Sequence, residues 1–153
     1  KEARDGLRKE YDILVSHWRF LQSARLIFVG VVATSFAALL SAYGAGITYS
    51  FQAGPRADFG IFLMRITATT GMLLAILAIV IEAILERMVR VTTDRGQAVE
   101  TSLGIDRGVF ASILVGGLPL RRQRQVNIPV ILSGTFILFA LIWAILLIVA
   151  FLR

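Results

Sequence analysis

Residues 26–55 read LIFVGVVATSFAALLSAYGAGITYSFQAGP, thirty consecutive positions without a charge. A helix needs about 20 apolar residues to cross a hydrocarbon core roughly 30 Å thick. This stretch therefore predicts a membrane span over 26–48, closed by Gly44, Gly46 and the turn-forming Gln52-Ala53-Gly54-Pro55. Further along, 125–152 is another run of 28 uncharged residues. It predicts a span over 128–151, with Asn127 as N-cap and Pro129 in the first turn, where a missing N–H is harmless. The run 66–81 has only 16 residues. It reaches spanning length as 61–84, with Arg65 and Glu82 near its two ends.

The composition agrees with three spans. Of the 153 residues, 57% are hydrophobic and 17% charged, and the mean hydropathy is +0.78. A soluble domain of this size keeps too much surface to hide so many apolar side chains. The net charge of +6 would suggest nucleic acid in a soluble protein. Here it is a topology signal. With the N-terminal segment cytoplasmic, 13 basic residues lie inside and only Arg56, Arg65 and Arg153 outside, the bias expected of short loops. A cleaved leader fits the N-terminal stretch badly, because the apolar run is too long and follows a charged stretch of about 25 residues.

The two polar segments also have patterns. Leu7, Tyr11, Leu14, Trp18 and Leu21 alternate steps of four and three, a heptad seam on an amphipathic helix. With no breaker before Gly30, that helix continues into the first span as one rod. Residues 82–103 read as helix up to Gly104, with Glu86 and Arg90 in the favourable i,i+4 order. The two extensions are expected to form an antiparallel hairpin, the seam meeting Leu85, Met88, Val89, Val99 and Leu103; the rival is that the seam pairs with another subunit. Residues 105–120 are too short to span and are broken by Gly116-Gly117 and Pro119. They fit a short interfacial helix, with Arg121, Arg122 and Arg124 at lipid phosphates, or alternatively a re-entrant loop.

The expected fold is thus an all-α integral membrane protein with three transmembrane helices, a cytoplasmic N-terminus, long cytoplasmic helical extensions and a short interfacial helix. Its parts are 1–25, a cytoplasmic amphipathic helix; 26–48, the first span; 49–60, an outer loop; 61–84, the second span; 85–104, a helical extension; 105–127, the interfacial segment and basic run; and 128–151, the third span.

Within this frame a few residues are candidates for function. Arg25 and Glu82 fall at the cytoplasmic ends of the first two spans, as a register-fixing ion pair or, since ionisable groups at membrane depth are functional by default, a gate. Arg65, near the outer end of the second span, snorkels to headgroups or rings an anion-selective mouth. Thr34, Ala38, Ser41, Ala45 and Thr48 form a small, weakly polar stripe, with Thr67 and Thr70 on the second span. Such stripes serve close helix packing in lipid or, in a ring of subunits, line a narrow pore. Three helices cannot enclose a pore, so conduction requires an oligomer.

His17 is the single histidine and there is no cysteine, so disulfides and Cys/His zinc or haem sites are excluded within one chain. No nucleophile–base pair, paired intramembrane carboxylates or phosphate-cradling loop is found, and basic–aromatic interleaving for nucleic acid is missing. Neither an enzyme, a cofactor nor a metal is expected, and a transporter would show an inverted repeat that three spans do not offer.

The order of parts at 7–21, 26–48, 62–84 and 85–103, roughly two-thirds of the chain, resembles the SLATT membrane effectors of bacterial nucleotide-signalling and defence systems. The chain departs from them by the interfacial segment and the third span, and no fused nucleotide-sensing domain is expected in it. The resemblance implies a homo-oligomeric pore-forming effector in a bacterial inner membrane, opened by a signal from a separate component. The functional expectation is a homo-oligomeric channel gated through its cytoplasmic helices, with membrane lipids as partners. The alternative is a small accessory subunit of a membrane complex, docking a partner through the 7–21 seam.

Overall fold

In a computed structural model, residues 2–105, 108–110 and 128–152 are described. Three helices hold most of them: α1 (Glu2–Ser50), α2 (Pro55–Leu103) and α3 (Ile128–Leu152). There is no strand among the described residues. All three helices are long and apolar enough to cross a membrane.

α1 and α2 each run for 49 residues, about 74 Å at 1.5 Å per residue. Each is therefore well over twice the length a span requires. No proline interrupts α1, and the helix continues through Gly44 and Gly46 to Ser50. Glycine in a helix interior costs about 1 kcal/mol in water, but inside lipid an unwound backbone would forfeit far more in unsatisfied N–H and C=O groups. The connection expected over 49–60 accordingly contracts to the four-residue turn 51–54. Gly54 takes φ 74°, which other residues rarely adopt. Pro55 then opens α2 at a position where its missing N–H has no helical use, and Asp58 lies in the first turn, the favourable place for an anion.

α2 ends in a Schellman motif. Gly104 has φ 71°, the Ile105 N–H donates to Glu100 O at 3.0 Å, and the Gly104 N–H donates to Thr101 O at 3.2 Å.

The chain divides into two compact units. One comprises 1–26 and 84–128. In it Leu21, Val99, Leu103 and Phe110 are buried. The buried face of this part of α2 is 92, 93, 96, 99, 100 and 103, the three-and-four spacing of one helix side. Thr92 and Thr93 are tolerated there because each hydroxyl donates to a carbonyl four residues back, Met88 O and Val89 O.

The other unit comprises 27–83 and 129–153 and is a three-helix bundle. Its core is Val32, Phe36 and Tyr43 from α1, Met64, Ala68, Ala75 and Ala78 from α2, and Phe136, Trp143 and Ala150 from α3. Large side chains of α1 and α3 meet small ones of α2. The Phe36 ring lies 4.7 Å from Phe139 and 6.1 Å from Trp143. A Cβ on Gly71 would overlap the Trp143 indole, and one on Gly60 would stand 2.7 Å from Gly46 O. These glycines let backbones and rings approach closely, the packing that small residues permit between apolar helices. Outward, the bundle shows large apolar residues such as Leu73, Leu141 and Ile145.

Candidate functional site

The small-residue stripe of α1 lies on its uncovered side. Thr34, Ala38, Ser41, Ala45 and Thr48 are all exposed, whereas the chain packs through the opposite face, Val32, Phe36, Tyr43 and Gly46. The stripe hydroxyls are satisfied within the helix. Thr34 donates to Gly30 O at 2.9 Å, Ser41 to Ala37 O at 3.1 Å, and Thr48 to Gly44 O at 3.2 Å. They add polarity to this face without leaving donors unpaired. On α2, Thr67 is buried and donates to Leu63 O at 2.7 Å, while Thr70 is exposed. Of the seven candidates, only Thr67 takes part in packing inside the chain.

Arg65 is held against the end of α3. It is half-buried, its Nε–H donates to Ala150 O at 3.1 Å, and its guanidinium carbon is 5.0 Å from the centre of the Phe151 ring. The last carbonyls of a helix have no helical partners, so the end of α3 offers a cation both an acceptor and a favourable dipole.

Arg25 and Glu82 are both buried, at 5% and 1% exposure. They belong to different units. Arg25 lies within the field of Glu86, which also holds Arg90 in an exposed pair at 2.9 Å. Charges this deeply buried are expensive unless compensated, which makes both positions sensitive to substitution.

The first unit contains an arrangement that sequence inspection missed. Glu100, 1% exposed, accepts the Tyr11 hydroxyl at 3.0 Å and the Phe110 N–H at 2.9 Å on the same Oε1. The Tyr11 oxygen in turn accepts the Val109 N–H at 3.2 Å. The Phe110 ring stands edge-on to Tyr11, 6.0 Å between centroids. Gly96 leaves room for that ring, and Gly108 leaves room for the carboxylate. One carboxylate thus joins α1, the end of α2 and residues 108–110. Burial raises the Tyr11 phenol above its ordinary value, and the Glu100 carboxylate raises it further against the opposing Val109 N–H. Tyr11 remains a neutral donor. The sequence clue was available: Glu100 is an acid within the apolar spacing Gly96, Val99, Leu103.

The rest of the 7–21 seam also faces inward. Leu7, Leu14 and Trp18 are half-buried and Leu21 is buried, and beside the seam Glu10 pairs with Arg95 at 2.6 Å. His17 is exposed. Arg121, Arg122 and Arg124, with most of the 105–127 segment, lie outside the described residues.

No known protein family, curated protein or solved structure matches the chain. The functional reading therefore stands on the helices and their surfaces.

Proposed function

We propose that this is an integral membrane protein of an inner (plasma) membrane, with the N-terminal part of α1 and the C-terminal part of α2 in the cytoplasm, working as a homo-oligomeric channel or pore-forming effector gated through those extensions. The observation that carries the reading is the exposed stripe Thr34–Ala38–Ser41–Ala45–Thr48. A span whose weakly polar side is left uncovered by its own chain suits a neighbour or a water-filled lumen better than lipid. The distribution of basic residues supports the orientation. As in the SLATT-like reading, a separate component supplies the opening signal.

The accessory-subunit alternative docks a partner through the 7–21 seam, of which Leu7, Leu14 and Trp18 are half-buried while Tyr11 and Leu21 are engaged within the chain. The test is ion flux from liposomes containing the purified protein, with native mass measurement of the same preparation. Flux from a multimer supports the proposal. A monomer that conducts nothing, with or without cytoplasmic extract, overturns it.

A further inference from the structure

The unit of 1–26 and 84–128 contains a cavity of about 300 Å³, lined by Arg4, Arg8, Tyr11 and Asp12 of α1 and by Leu103 and Ile105 at the end of α2. That volume is at the lower end of the range for small-molecule sites. The α1 residues follow at steps of four, three and one, so one side of the helix presents them all.

The walls are of two kinds. Leu103 is buried as the last residue of α2. Ile105 is fixed beyond the Gly104 turn, where its N–H donates to Glu100 O. Tyr11 is held by Glu100 and by the Val109 N–H. These three give a preset, largely apolar surface. Charge comes from Arg4 and Arg8, both exposed and one turn apart. Among the described residues neither joins an ion pair, although Asp12 stands one turn beyond Arg8. Like charges at this spacing destabilise a helix, and an anion between them reverses that effect.

We propose that this cavity binds a phosphate ester with a small apolar body, its phosphate on Arg4 and Arg8 and its apolar part against Leu103 and Ile105. The planar guanidinium fork matches phosphate oxygens, and two such groups balance a dianion, whereas a carboxylate would leave one of them uncompensated. Asp12 repels a bare anion but accepts a hydroxyl or amino group carried next to the phosphate. The site needs only one copy of the chain, so it stands independently of the channel reading.

The test is calorimetric titration of the full-length protein in phosphatidylcholine nanodiscs, with phenyl phosphate as the probe. Saturable binding with a Kd below about 1 mM is expected. Inorganic phosphate, which lacks the apolar body, should bind roughly tenfold more weakly, and benzoate should also be weaker. Arg4→Gln and Arg8→Gln should each weaken the probe about tenfold, the scale of a hydrogen bond to a charged group. Asp12→Asn should tighten it, because phenyl phosphate offers that carboxylate nothing to accept. Arg19→Gln, exposed and outside the cavity, should change nothing. All four substituted side chains are exposed, and an unchanged Tm without probe shows that the variants keep the fold. Competition by phosphatidic acid in the nanodisc, but not by phosphatidylserine, assigns the site to a lipid phosphate; otherwise its ligand is a soluble ester. No saturable binding, a preference for benzoate, or equal losses in Arg8→Gln and Arg19→Gln overturns the site.

Discussion

Arg65 of α2 donates its Nε–H to the carbonyl of Ala150, 85 residues away, at 3.1 Å. The contact joins a helix near its beginning to another near its end, where the α3 carbonyls lack partners. Phe151 covers the guanidinium on one side, so an arginine inside an apolar run acts here as a cap.

Arg65→Ala is expected to destabilise the bundle by about 1 kcal/mol, the scale of a cation at a helix C-terminus. Thermal unfolding in detergent should show a lower Tm, with Arg65→Lys intermediate. Arg56→Ala, whose side chain is exposed, should leave the Tm unchanged. Equal effects at both positions would argue against the cap.

Gly71 leaves the space that the Trp143 ring fills. Gly71→Leu should destabilise by about 1–3 kcal/mol through overpacking, and Trp143→Ala in the same chain should recover part of the loss. Gly134→Ala, with open space around its Cβ, serves as the neutral control. A double variant no more stable than Gly71→Leu alone would contradict the packing.

Glu100→Ala strands the Tyr11 hydroxyl and the Phe110 N–H, an expected loss of about 1–3 kcal/mol. Tyr11→Phe removes one of those partners. Since both act through one carboxylate oxygen, their effects should not add, and a double-mutant cycle should return a coupling of at least ~0.5 kcal/mol. Strict additivity would show that the two residues act separately.

The raised Tyr11 phenol predicts a direction of pH dependence. A folded-state value above the unfolded one contributes stability that is fully present below the ordinary value of 10.0 and is lost as pH rises through the folded value. Unfolding followed between pH 8 and 11 should show an alkaline loss of stability, smaller in Tyr11→Phe. Identical alkaline limbs would exclude Tyr11 as a contributor.

Ser41 is exposed on the stripe and absent from the core. Ser41→Leu should preserve the Tm while cutting liposome flux at least severalfold, because the bulkier side chain intrudes between copies or into the lumen. Undiminished flux with an unchanged Tm would place the conducting surface elsewhere.

The three apolar runs were legible as helices before any tertiary contact was known. Lipid offers no partner for backbone groups, so a long uncharged stretch must satisfy them locally, and helix is the local solution. α1 nevertheless runs past Gly44 and Gly46, where the sequence suggested that the span would close. The amphipathic spacing at 7–21 and the Gly104 stop are equally local.

The face that each helix turns inward is not local. α1 has an aromatic side, Phe36 and Tyr43, and a small-polar side, Thr34 and Ser41, and either spacing suits helix packing. The structure uses the first because Phe139, Trp143 and the Leu146 carbonyl, over 100 residues distant, complement it. Glu100 likewise looks like a solvated charge until Tyr11 and Phe110 surround it. Sequence alone thus determined that three long apolar stretches are helical and roughly where they run, since their hydrogen bonds close within a few residues. Only the tertiary structure decided the partners of Arg65 and Glu100 and the free side of α1, since those depend on contacts between residues far apart in the chain.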